Sequence, residues 1–198
     1  MTRELKKLLI EIKNCKICED HLPCPPRPVL RADSKAKILV AGQAPGRKVH
    51  ETGIPFNDPS GERLRKWMGI DRNIFYDSSK IAIIPMGFCY PGSGKSGDLP
   101  PRAECAEEWR EMLLNRLPRI RLTLLIGQYA QRYHLGGKQK KNLTETVKAW
   151  REFLQDGMIP LPHPSPRNNI WLKKNEWFET DVLSTLQSKV RGLVNGGP

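Results

Sequence analysis

Residues 37–46 read Lys37-Ile38-Leu39-Val40-Ala41-Gly42-Gln43-Ala44-Pro45-Gly46. An apolar run of strand length, with no polar alternation, passes straight into a turn marked by glycine and proline. Similar short apolar runs recur at residues 81–84, 122–126 and 158–161. Strands buried on both faces look like this, because helices cover a parallel sheet on each side. The segments between them carry helical signals. Leu5, Leu8, Leu9 and Ile12 fall at helical spacing, predicting a helix over residues 3–13. Ser60 is a candidate N-cap for a helix through Met68, and Pro101 can open one that runs to Leu117. Further helices are expected over residues 143–154 and from the segment after His163 to about Val190. Strands alternating with helices predict a three-layer α/β/α sandwich around a central, mostly parallel, four-stranded sheet. Sites in such folds lie at the carboxyl ends of the strands. Residues 42–46, 86–90 and 163–166 are therefore the segments to watch.

The chain has 198 residues, enough for a single domain over residues 1–198. Residues 1–35 are expected to be an N-terminal helix and cysteine-containing segment packed on it. No apolar run approaches the roughly 18–20 residues of a membrane span, and the first residues lack the pattern of a secretory signal. The expectation is a cytoplasmic monomer with no membrane partner. The formal charge is +12 and unevenly spread. Residues 1–50 hold 11 basic and 5 acidic groups, residues 51–130 hold 11 and 10, and residues 131–198 hold 11 and 6. A basic excess favours polyanions through counterion release, and nucleic acid is the commonest such partner.

Five cysteines do not suggest a disulfide framework. Cys15 and Cys18 form a CxxC, Cys24 follows, and Cys89 and Cys105 come much later. Four thiolates can hold an iron–sulfur cluster or a tetrahedral zinc, while free buried cysteines are ordinary core residues. Gly92-Ser93-Gly94-Lys95-Ser96 is not a phosphate loop. That motif needs a glycine five positions before the glycine of its Gly-Lys pair, where this chain has Cys89. A flexible loop is expected there, with Lys95 touching at most a phosphate.

The turn Gly42-Gln43-Ala44-Pro45-Gly46, the downstream Thr52-Gly53-Ile54-Pro55-Phe56 and the late His163-Pro164-Ser165-Pro166 together resemble the uracil-DNA glycosylase superfamily. Residues 125–130 are similar to its third-strand turn. The cysteines resemble the ligand pattern of its iron–sulfur-containing bacterial and archaeal branches. The resemblance implies a [4Fe-4S] cluster on Cys15, Cys18, Cys89 and Cys105, with zinc or no metal as alternatives, and leaves Cys24 supernumerary. It also implies DNA as the partner and hydrolysis of the N-glycosidic bond to uracil or another deaminated base, leaving an abasic site.

The chemistry needs a flipped nucleotide in a pocket, a carboxylate for the water and cationic sugar, and a donor for the departing base. By resemblance His163 is that donor, and Phe56 stacks on the base beside Gly42 and Ala44. One branch places Glu at Gln43; an amide is no general base, although it can orient water or bond the base. Another branch uses an Asp that aligns with Asp58, the expected catalytic carboxylate, with Glu51 in reserve. Asp58 is equally a candidate helix cap. Uracil-strict relatives carry an asparagine where this chain has Pro85, so Asn57 becomes the candidate base-edge reader, or else a turn residue. Arg167 aligns with the residue that enters the duplex. Arg47, Lys48, Ser165, Lys173 and Lys174 are candidate phosphate contacts. Trp171, Trp177 and Phe178 are expected in the core. Two further readings stand beside catalysis: a DNA-binding member that has lost activity, and a metal-stabilised protein that handles nucleotides.

Overall fold

The computed structural model describes residues 1–95 and 97–196. Helix α1 (Arg3–Lys13) starts from a Thr2 N-cap whose hydroxyl accepts from Leu5 N, and it buries Leu5, Leu8 and Ile12. Strand β1 (Ile38–Ala41) follows a proline-rich extended segment, and all four of its residues are buried. Then come α2 (Arg47–Thr52), α3 (Pro59–Met68), α4 (Arg72–Tyr76) and β2 (Ile81–Ile83). A two-stranded antiparallel hairpin, β3 (Ser93–Gly94) and β4 (Gly97–Asp98), precedes a π-helical turn (Ala106–Arg110) that runs into α5 (Glu111–Leu114). The remainder is β5 (Leu122–Ile126), α6 (Gly127–Leu135), α7 (Leu143–Lys148), α8 (Trp150–Leu154), β6 (Met158–Leu161), α9 (Asn169–Lys174) and α10 (Ser184–Val194).

β1, β2, β5 and β6 form one sheet in the order β2-β1-β5-β6, parallel throughout. Ile38 is level with both Ile81 and Leu122, and Thr123 with Met158. Alternation along each strand divides the core in two. Ile38, Val40, Leu124 and Ile159 point into a layer with Leu64 and Trp67 of α3, Trp150 of α8, and Leu186 and Val190 of α10. Leu39 and Ala82 face the opposite layer, where Leu5, Leu8 and Ile12 of α1 meet Leu113 and Leu117. Each fully buried leucine or isoleucine contributes about 1.5–3 kcal/mol relative to exposure. This is the three-layer α/β/α arrangement. Phe178 is fully buried, and Trp171 and Trp177 pack edge-on around it, so this aromatic cluster belongs to the core.

Several local expectations need correction. The α3 cap is Asp58 rather than Ser60: Asp58 accepts from Gly61 N at 2.8 Å, Pro59 occupies the first turn, and Ser60 is buried inside the helix. Helical structure after Pro101 is delayed to about residue 104, because residues 101–103 form the approach to it, and α5 stops at Leu114. The expected flexible loop at residues 92–96 is in large part the β3–β4 hairpin, with Ser96 outside the described residues. Residues 143–154 form two helices with a break at Ala149. The C-terminal helical region breaks at Asn175. Helices α2, α4 and α6 were not anticipated.

Candidate active site

At the carboxyl ends of β1 and β6 a cleft of about 510 Å³ opens. The turn after β1 supplies Gly42, Gln43, Ala44 and Gly46, and the segment leading into α3 supplies Phe56 and Asp58. The turn after β6 adds His163, Ser165, Arg167 and Asn168. Motifs separated by more than a hundred residues thus meet because β1 and β6 flank β5 in the sheet.

Phe56 is the structure's positive-φ residue other than glycine among the described residues, at φ 53. Such backbone costs about 1–3 kcal/mol and persists only where its surroundings hold it. Here Arg65 donates to the Phe56 carbonyl at 3.3 Å, and Phe75 meets the ring edge-on at 6.1 Å. Gly61 lies so close that a Cβ there would overlap the Phe56 carbonyl. A Cβ on Gly42 would stand 3.3 Å from the Phe56 ring. Two glycines therefore set where the ring sits, and it forms one wall of the cleft.

Asp58 Oδ1 is committed to the Gly61 N–H, so the capping role holds. A carboxylate has a second oxygen, and Asp58 also lines the cleft. One group can therefore cap the helix and face a ligand. His163 is half-buried at the cleft. Burial pulls its pKa below the ordinary value, and Asp58 and Asp98 partly offset that pull. Its carbonyl accepts from Asn168 Nδ2 at 2.7 Å, and Arg63 reaches from α3 to Ser165 O at 3.0 Å and Asn169 Oδ1 at 2.8 Å. The histidine loop is thus tied to the same helix that Asp58 caps. Gln43 Nε2 donates to Leu99 O at 2.9 Å, which fastens the first turn to the hairpin. Below the cleft, Arg110 is fully buried and donates to the Ile84 and Pro85 carbonyls, with His134 Nε2 2.8 Å away.

Not every candidate gathers here. Asn57 does not line the cleft, and its Oδ1 accepts from Arg72 at 3.0 Å. Glu51 is exposed on α2 outside the cleft. Arg47, Lys48, Lys173 and Lys174 also lie outside it, on α2 and α9. Ser165 accepts from Arg167 N at 3.2 Å, capping a short turn, and the Arg167 guanidinium lies against Gly97 of the hairpin. The second carboxylate of the cleft is Asp98, which the sequence reading missed. A signal was present: glycines at 92, 94 and 97 bracket a tight hairpin that delivers Asp98.

The four cysteines line a second, small cavity, together with Leu22, Pro26, Pro28, Phe88 and Arg102. Cys18 and Cys105 are buried, and Cys24 is outside it. Burial pushes Cys89 up to about 11 and Cys105 up to about 12, and neighbouring thiols add to both shifts. Burial likewise raises Cys18, against a hydrogen bond from Arg102. Arg102 is also paired with Glu104. Among the described residues, no three His, Cys, Asp or Glu side chains converge tightly enough for a single metal ion. The donors that fit a metal group are nonetheless together: four thiols from three chain segments, on apolar walls, with one cation beside them.

No helix among the described residues is long and apolar enough to cross a membrane. Residues 30–187 match the family model of the uracil DNA glycosylase superfamily. That match spans well over half of the chain, both turns that build the cleft included. The chain belongs to the uracil DNA glycosylase superfamily.

Proposed function

We propose that this superfamily member is a DNA glycosylase that hydrolyses the N-glycosidic bond of uracil or another deaminated base and leaves an abasic site. The observation that carries the reading is the meeting of Asp58, Phe56 and His163 in one cleft at the strand ends. A flipped base stacks on Phe56. The free oxygen of Asp58 receives a proton from the attacking water and stabilises the positive charge growing on the sugar. Burial lowers the pKa of His163 and so favours its neutral form. The histidine donates an N–H to the base as negative charge develops there. Gln43 orients the water or the base, its amide nitrogen already fixed by Leu99. The superfamily implies DNA as the substrate. Arg167, Ser165, Arg47, Lys48 and Lys173 are the groups assigned to its backbone.

The cysteine cavity is assigned a [4Fe-4S] cluster held by Cys15, Cys18, Cys89 and Cys105. Support comes from the shared cavity and from Arg102, which would balance thiolate charge. When bound, such a cluster supplies a covalent tie between the N-terminal segment, the loop after β2 and the helical turn at Cys105. The catalytic proton and electron movements above do not involve it. Absorbance near roughly 400 nm in purified protein separates a cluster from zinc.

The test is release of free base from single- and double-stranded oligonucleotides containing uracil, hypoxanthine or xanthine. Cluster-loaded protein should release at least one of them and leave alkali-labile abasic strands. Salt-dependent DNA binding with no release of any base would favour a DNA-binding member without catalysis instead.

A further inference from the structure

The hairpin β3–β4 brings a carboxylate into the cleft that the hydrolysis above does not use. Asp98 lines the same space as Phe56 and His163. Its position is set by two contacts. Ser93 Oγ donates to Asp98 Oδ1 at 3.0 Å, and the buried Tyr90 holds Ser93 through a 2.8 Å hydroxyl contact. Asp98 Oδ2 rests against the backbone of the first turn, 3.2 Å from where a Gly46 Cβ would stand. The hairpin carboxylate is thus seated on the glycine turn that opens the cleft.

The other polar groups leave Asp98 a distinct job. Asn57 is turned to Arg72, and Pro85, which lines the cleft two residues beyond β2, has no side-chain donor or acceptor. The two amides that line the cleft, Gln43 and Asn168, both spend an N–H within the protein. A carboxylate, unlike an amide, only accepts hydrogen bonds. We infer that Asp98 reads the edge of the flipped base, accepting its imino N–H and thereby favouring hypoxanthine over uracil and xanthine. This inference rests on the glycosylase reading for its substrate class.

The selectivity follows from the base edges. In uracil and in xanthine the imino N–H is flanked by a carbonyl on each side. A carboxylate that accepts that proton sets its second oxygen against one carbonyl or the other, and like partial charges repel. In hypoxanthine one flank of the N1–H is a C2–H, so the second oxygen meets a weakly positive hydrogen instead. An amide at the same position would donate to a flanking carbonyl while accepting the imino proton, which suits uracil and xanthine.

The experiment compares wild type, Asp98→Asn and Asp98→Ala, all cluster-loaded, under single-turnover conditions. Each is given identical duplexes carrying hypoxanthine, uracil or xanthine. In parallel, binding of free hypoxanthine and free uracil is measured in the presence of an abasic duplex. Wild type should favour hypoxanthine, Asp98→Asn should shift the ratio toward uracil by at least about 10-fold, and Asp98→Ala should merely level it. An unchanged ratio in Asp98→Asn, with all three bases still released, overturns the role of Asp98 and leaves the glycosylase standing. No release by wild type overturns the glycosylase, and the free-base ratio then decides on Asp98 alone: reversal in Asp98→Asn upholds it, and equal or absent binding overturns it. Asp98 is exposed, so unaltered thermal melting shows that each variant is folded.

Discussion

The cleft at the strand ends and the cavity among the cysteines share the loop that follows β2, yet they are built on opposite principles. The cleft is wide, open and lined by groups that can change partners: two carboxylates, a histidine, hydroxyls and backbone turns. The cysteine cavity is small and walled by proline, leucine and phenylalanine, and its thiols are pushed toward the neutral form by burial. A site that must admit and release a ligand keeps water and polar groups at hand. The apolar walls of the cysteine cavity leave its thiols and Arg102 to one another. On the proposed reading the first region carries the chemistry and the second a mechanical restraint.

The largest expected effect tests the first half of that contrast. Asp58→Asn should cut base release about 10²–10⁴-fold, and His163→Ala about 10²–10³-fold. An asparagine oxygen can still cap α3, so the melting temperature of Asp58→Asn should barely move. Loss of fold along with activity would mean that Asp58 is a cap alone. Cys105→Ala should behave in the opposite way. The 400 nm absorbance should vanish and stability fall by about 3 kcal/mol, roughly 6–12 °C in Tm, while folded molecules keep releasing base. If release per folded molecule collapsed, the two regions would not be separable.

Gly61→Ala is a smaller perturbation that reaches the cleft through packing. Its Cβ must displace the Phe56 carbonyl, at about 1–3 kcal/mol, and weaker base binding should exceed what the stability loss explains. The effect farthest from the cleft's chemistry is a pH slope, absent at neutral pH and seen only in acid. Burial, with Arg110 second, holds His134 at about 3 against 6.5 for a free imidazole. The unfolded chain therefore binds that proton more readily, so the stability linked to neutral His134 is whole above about pH 6.5 and drains as pH falls toward 3. In urea titrations His134→Gln should flatten the acid limb of stability relative to wild type. An unchanged limb would remove His134 from the account.

The sheet was legible because strands buried on both faces leave nearly continuous apolar runs: β1, β2 and β6 carry no polar side chain, and β5 carries only Thr123. The two turns of the cleft were legible because glycine and proline mark them. The short helices α2, α4 and α6 were not. Helix α2 buries Val49 alone and α4 Phe75 alone, which is too little for a periodic pattern. Asp58 and Ser60 both stood as caps in the sequence because both are good capping types, and only the structure shows that Ser60 is inside the helix. Asp98 was hidden by its neighbours. The glycine-rich stretch invited comparison with phosphate loops, while the relevant question was which side chain the hairpin carries inward.

The order of strands in the sheet also governs when this protein comes to exist. β1 lies between β2 and β5, and β6, last in the chain, adds beyond β5 before the histidine turn is in place. Every pairing in this sheet joins strands distant in sequence, which slows folding because loop closure must precede the stabilising contacts. A nascent chain emerging from the ribosome carries Asp58 and Phe56 long before His163 can join them. Joining the two halves of the cleft therefore waits until β6 and the turn after it have been made, and a product that stops short of them holds half a site.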